Sequence, residues 1–264
     1  MKSDFLTIKN LICGYSKEPV IKDISFCVRQ ASIVGILGPN GSGKTTLFKA
    51  IGGMLPFQEG IIQYNEKNLT QISVKERAKE MAFIPQFFSV PFNYSVEEIV
   101  LMGRYPHKKR FELFSKNDRD VLEKVLKETD LYEKRSMPVN SLSGGEIQRV
   151  VLAQGFCQEA KLLLLDEPVS HLDIGHQGQI LDVIARMSKK SGLTVMLILH
   201  DLNLAALYCD HIILLNNGRI AKQGEVDQVL TYKNIEAVYG TTVIVKENPV
   251  TGKPNVFLIP EEYQ

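Results

Sequence analysis

Long apolar runs are missing from this 264-residue chain, and none approaches the roughly 20 residues a helix needs to cross a bilayer. The longest, Leu162–Leu165 and Thr194–Leu199, are strand-sized and run into Asp166 and His200. Work at a membrane is therefore expected to go through a partner. Met1-Lys2-Ser3-Asp4 also lacks the apolar stretch of a secretory signal. Charge of one sign is lacking too: 31 Lys and Arg stand against 30 Asp and Glu, spread along the chain. That balance does not support a nucleic-acid-coating surface, and no nucleic-acid partner is expected. Cysteine is scarce. Cys13, Cys27, Cys157 and Cys209 show no CxxC or metal-ligand spacing and are expected to be reduced core residues. There is no internal repeat and no low-complexity linker.

What is present suits one large domain with lobes. Short β segments are expected at Phe5–Leu11, Ile21–Val28 and Ser32–Leu37, with alternation at Ile24, Phe26 and Val28. Glu59-Gly60 reads as a turn before a strand at Ile61–Tyr64. Helical spacing at Val96–Gly103 and Asn117–Tyr132 marks a helical lobe, with Arg104–Phe114 as a basic surface connection. Lys161–Asp166 and Thr194–His200 read as buried strands around a helix at Gln177–Lys189, which implies a parallel sheet. A helix at Val226–Tyr232 and strands at Thr241–Val245 and Val256–Ile259 complete the tail. The expected division is a core at about 1–89 and 161–224, a helical insertion at about 90–160, and a tail at about 225–264.

Ile33–Leu37 runs straight into Gly38-Pro39-Asn40-Gly41-Ser42-Gly43-Lys44-Thr45, and Leu47, Phe48 and Ile51 then recur at helical spacing. Strand, glycine loop, helix is the setting of a phosphate-binding loop. The glycines let successive N–H groups turn toward phosphate oxygens at a helix N-terminus. Lys44 adds a positive charge for the β- and γ-phosphates and Thr45 a hydroxyl for Mg²⁺, with Thr46 the next ATP-contacting position. Leu163-Leu164-Leu165-Asp166-Glu167 supplies two carboxylates at a strand end. Asp166 suits the Mg²⁺ hydration shell, and Glu167 suits a base that orients or deprotonates the attacking water.

Leu142-Ser143-Gly144-Gly145-Glu146 precedes the helical pattern Ile147, Val150, Val151, so Ser143 is a natural N-cap. Such an end is a second anion-seeking site, although a lone Ser-Gly-Gly is more often an ordinary helix start. Together with Gln86 after Ile84-Pro85, Ser170-His171-Leu172-Asp173 and Leu199-His200-Asp201, these motifs resemble an ABC-transporter ATPase subunit, in the family's order and over essentially the whole chain. The resemblance implies an α/β P-loop ATPase core with a mostly parallel sheet, an N-terminal antiparallel β subdomain and an inserted α-helical subdomain. It implies a head-to-tail dimer, each ATP lying between the P-loop of one copy and Ser143, Gly144, Gly145 and Glu146 of the other. It implies that Tyr15 stacks on adenine, and that Gln86 senses Mg²⁺ and water. His200 would contact the γ-phosphate and support Glu167, and Asp173 would lie at the dimer seam. Two departures are mild: Glu146 stands where Gln is commoner, and His171 where Ala is common.

Val100-Leu101-Met102-Gly103-Arg104-Tyr105-Pro106-His107, the run Ser170–Gln177, His200–Ala205 and the tail Tyr239-Gly240 with Pro249–Pro254 resemble ATPases of iron–siderophore, haem or cobalamin importers. That likeness implies two membrane permease subunits, an extracytoplasmic substrate-binding protein, and a peripheral position on the cytoplasmic face of the cell membrane. Phe87, Phe88, Phe92 and Tyr94, flanked by Pro85 and Pro91, could form the permease dock or the lobe's own core. Manganese and zinc importers share Met102–Tyr105, and an iron–sulfur assembly ATPase has a similar size. A chromosome or DNA-repair ATPase requires a long coiled coil between P-loop and Ser143, which is missing. Protein-synthesis factors need two cassettes. A simple P-loop kinase leaves Leu142–Glu146 unexplained.

Overall fold

The computed structural model describes residues 4–86, 88 and 93–263. Its contacts fall into two compact units, Met1–Ile72 with Thr194–Gln264, and Ser73–Leu193. The expected helical insertion at 90–160 lies inside the second.

The first unit begins with strands β1 (Leu6–Cys13), β2 (Ile21–Val28) and β3 (Ile33–Leu37), helix α1 (Lys44–Ile51), and strands β4 (Phe57–Tyr64) and β5 (Lys67–Asn68). β2, β1, β4 and β5 form an antiparallel sheet in that order. In β2, Ile21, Ile24, Phe26 and Val28 point inward, while Lys22, Asp23, Ser25 and Cys27 face out. The same alternation puts Cys27 on the surface, unlike the buried Cys13, Cys157 and Cys209. Glu59-Gly60 is not a turn. Gly60 sits inside β4 at φ 100°, opposite a register shift between Lys9 and Ile12 of β1. The local bulge explains why a glycine-containing strand reads as a break.

The second unit contains α2 (Val74–Glu80), β6 (Met81–Ile84), α3 (Val96–Leu101), α4 (Lys116–Glu128), α5 (Gly144–Cys157), β7 (Leu162–Asp166) and α6 (Ile174–Ser191). β6 and β7 pair in parallel, from Met81 beside Leu162 to Ile84 beside Leu165. Leu122, Val125 and Leu126 of α4 and Val96, Ile99 and Val100 of α3 are buried as these helices pack on α5. The Arg104–Phe114 stretch is not simply a solvated connection. Met102–His107 forms a 3₁₀ helix, and Arg104 and Lys108 are buried on the equally buried Asp118. Arg104 Nε lies 3.0 Å and Lys108 Nζ 2.9 Å from its two oxygens. A sequence pattern shows the charges but not the carboxylate that carries them inward.

The chain returns to the first unit with β8 (Thr194–Ile198), α7 (Leu202–Tyr208), β9 (His211–Asn216), β10 (Arg219–Glu225), α8 (Val226–Val229), α9 (Tyr232–Tyr239), β11 (Val243–Glu247) and β12 (Pro254–Leu258). β3 lies between β8 and β9 and is parallel to both. All five β3 residues are buried, which is why its apolar run shows no alternation. β10 folds back on β9 through Asn217-Gly218, both at positive φ, the geometry of a two-residue hairpin turn. The expected single helix at Val226–Tyr232 is two helices, because Thr231 caps a new start with its side chain accepting from the Asn234 N–H. Among the described residues no helix is long and apolar enough to cross a membrane.

Candidate functional site

The loop after β3 has the backbone a phosphate cradle needs. Gly38, Gly41 and Gly43 have φ of 145°, 77° and 101°. At Gly38 a methyl group would stand 2.2 Å from the Leu215 carbonyl oxygen, so no larger residue fits. Lys44 opens α1 and is buried, its Nζ donating to the carbonyls of Gly38 at 2.8 Å and Pro39 at 3.0 Å. The Ser42 hydroxyl is buried among these groups with no hydrogen-bond partner. An orphaned hydroxyl in a glycine loop that also carries a buried lysine fits a phosphate-bearing ligand. Asn40 is exposed, Pro39 and Thr45 are half-buried and Thr46 is buried.

Two further expected residues share this unit. Tyr15 is 61% exposed, with Lys49 Nζ 5.5 Å from its ring centre, so one aromatic face is open. His200 is exposed at the carboxyl end of β8, where the Leu199 N–H donates to Ile36 of β3. P-loop and His200 thus lie at the same end of adjacent parallel strands, where α/β sheets place their ligands. The sequence reading missed a third residue. Tyr239, at the end of α9, has its phenol pushed up by burial while hydrogen-bonded to the Gly38 backbone. No local pattern signals a contact spanning two hundred positions.

The second unit gathers the carboxylates. Asp166 is buried at the end of β7. Glu167 follows in the left-handed region at φ 53°, a conformation that costs a non-glycine residue energy and recurs at functional sites. Gln86, just beyond β6, donates Nε2 to Glu167 Oε2 at 2.5 Å. Parallel pairing of Ile84 with Leu165 sets the two side chains beyond the carboxyl ends of neighbouring strands. Ser170 donates its N–H and hydroxyl to the Glu167 carbonyl and fixes the following turn.

Ser143 caps α5 as expected, in a reciprocal capping box with Glu146. Glu146 Oε2 accepts from the Ser143 N–H at 2.8 Å and its hydroxyl at 2.9 Å. Glu146 also pairs with Lys134, which with the Ser143 bonds lowers its carboxyl from 4.5 to about 2. The unusual Glu therefore has a structural partner. Gly144 is open, whereas Gly145 lies under the His176 ring. Asp173 caps α6, accepting from the His176 N–H at 2.9 Å, and these bonds lower its carboxyl below the ordinary range. Of the aromatic cluster expected at the permease dock, Phe87 and Phe92, with Pro91, lie outside the described residues; Phe88 and Tyr94 are half-buried.

The fold and these two constellations define a P-loop ATPase that carries a signature glycine helix. Residues 21–170 match the ABC transporter family. The chain is 34% identical to the iron(3+)-hydroxamate import ATP-binding protein FhuC of Bacillus subtilis, over 94% of this chain and 93% of that protein. It is 40% identical to the hemin import ATP-binding protein HmuV of Pseudomonas entomophila, over 94% and 98%. An uncharacterized Bacillus subtilis ABC transporter ATP-binding protein, YvrA, is 37% identical, and the chain spans 57% of its length. Among solved structures, a metal-chelate type ABC transporter in an inward-facing conformation superposes with a TM-score of 0.86 at 28% identity, over 98% of both chains. The chain belongs to the ABC-transporter ATP-binding family, whose nucleotide hydrolysis drives transport.

Proposed function

We propose that this chain is the ATPase subunit of an importer for an iron chelate, haem or cobalamin. It binds Mg²⁺–ATP and acts as a dimer at the cytoplasmic face of the membrane. Two permease subunits are its partners, with an extracytoplasmic binding protein delivering the cargo. The observation that carries the nucleotide assignment is the partnerless Ser42 hydroxyl beside Lys44 in the Gly38–Thr45 loop. The import names of the relatives support the cargo class.

The chain's own groups divide the work. The loop N–H groups and Lys44 hold the phosphates, and Tyr15 takes the base on its open face. Thr45, Gln86, and Asp166 through water would hold Mg²⁺, which neutralises charge on the phosphates. Glu167 accepts a proton from the attacking water, while Gln86 fixes its carboxylate. His200 steadies the γ-phosphate. Ser143, Gly144, Gly145 and Glu146 start the helix that closes on the nucleotide of the second copy, with Asp173 at the seam. ATP then holds two chains together, and its hydrolysis releases them.

ATPase activity of the complex reconstituted with its permease, measured with binding protein loaded with each cargo, tests the assignment. Stimulation by an iron chelate, haem or cobalamin is expected. Stimulation by free manganese or zinc alone would move the cargo to the divalent-metal class.

A further inference from the structure

Ser170–Gln177 separates this chain from a generic cassette, yet the roles above use only Asp173 from it. The structure gives His176 an unassigned position between two elements. Its Nδ1 lies 2.7 Å from Asp173 Oδ2, while its backbone N–H donates to Asp173 Oδ1 at 2.9 Å. Both oxygens of that carboxylate are thus engaged by one residue. The other face of the ring covers the start of α5: a methyl group at Gly145 would stand 2.5 Å from His176 Cδ2 and 3.0 Å from Cγ. Only glycine lets the imidazole lie there.

We propose that His176 is a positioning residue that locks Asp173 to the Gly144-Gly145 helix start, so that the two surfaces offered to the second copy move as one. The inference rests on the composite-site reading above, because it gives both surfaces to the dimer seam. The physical argument is geometric. Asp173 precedes α6 and Gly145 opens α5, and neither helix start determines the other's orientation. A planar ring bonded to one and stacked on the other removes that freedom. Closure then brings a preassembled surface to the nucleotide, and the cost of ordering it is met on folding. An alanine at position 176 keeps the backbone bond to Asp173 but loses both the side-chain bond and the stacking.

The test uses the full-length chain with His176→Ala and His176→Asn, each alone and combined with Glu167→Gln. Asparagine keeps an amide N–H near the position of Nδ1. His176→Ala is expected to leave nucleotide affinity of the separated subunit within about twofold. It should weaken ATP-driven dimerisation of the Glu167→Gln protein, followed by light scattering, by about tenfold, and lower kcat by a similar factor with KM little changed. His176→Asn should recover part of both losses, because it restores the side-chain bond but not the ring over Gly145. Equal dimerisation of Glu167→Gln with and without His176 overturns this inference alone. An asparagine variant as impaired as alanine overturns it too, since the hydrogen bond would then not matter. A Glu167→Gln protein that never dimerises with ATP overturns the composite site, and this inference with it.

Discussion

Gln86 Nε2 donates to Glu167 Oε2 across the carboxyl ends of two adjacent parallel strands. A carboxylate one residue beyond a buried strand, in a left-handed conformation, has few local restraints on its side chain. The amide supplies one and orients the carboxylate. It also ties the residue expected to sense Mg²⁺ and water to the residue expected to activate that water. Hydrolysis is then sensitive to Gln86 even where binding is not.

Replacing Glu167 by Gln is expected to keep ATP binding and lower turnover by about 10²-fold or more. Gln86→Ala should lower kcat by about tenfold with KM nearly constant, as loss of an orienting contact does. Steady-state ATPase assays beside equilibrium nucleotide titrations separate the two effects. A Glu167→Gln protein that hydrolyses at the wild-type rate removes the base assignment.

Lys44 should dominate nucleotide affinity. Its buried ammonium donates to the Gly38 and Pro39 carbonyls at the phosphate loop, where a phosphate oxygen adds a charge-assisted hydrogen bond. Lys44→Ala is expected to weaken ATP binding by about 10- to 100-fold in calorimetric titration. Unchanged affinity contradicts the role.

Asp118 should matter for stability and not for chemistry. Burial would raise its carboxyl, yet bonds from Lys108, Ser115 and Arg104 together hold it well below the usual range. Asp118→Ala removes the one buried carboxylate that Arg104 and Lys108 share and leaves them only the more exposed Glu159 and Glu112, so it is expected to cost about 3 kcal/mol, a fall of roughly 10 °C in Tm. Thermal melts followed by circular dichroism check this. A fall of a degree or two would mean that water reaches Arg104 and Lys108.

Glu146 predicts a pH dependence at the signature helix. Lys134 first, and then Ser143, hold its folded carboxyl at about 2 against an ordinary 4.5. Because the folded value is the lower, the charge's contribution is complete above about 4.5 and is lost as pH falls toward about 2. Glu146→Gln keeps the capping geometry and removes that charge. Denaturation of both proteins at about pH 6 and about pH 3 should show a difference that shrinks at the lower pH. Lys134 is 41% exposed, so the difference at pH 6 is expected to be about 1 kcal/mol or less. A gap that stays constant between the two pH values excludes the ion pair as its source.

By itself, the sequence determined what local chemistry can specify. Gly38–Thr45 after an apolar strand, two carboxylates after Leu162–Leu165, and Ser143 before Gly144-Gly145 are short-range patterns, since backbone turns and helix caps depend on a few neighbouring residues. The alternation of β2 and the buried run of β3 were legible for the same reason. The Asn217-Gly218 hairpin turn is of the same local kind. Only the tertiary structure decided the rest. Gln86 meets Glu167 across 81 positions, Arg104 and Lys108 find Asp118 in the interior, and Tyr239 reaches the Gly38 backbone. His176 meets Gly145 because two helix starts are brought side by side, which spacing along one chain cannot encode. Such contacts depend on which strands and helices become neighbours, and that follows from burying the whole apolar core together.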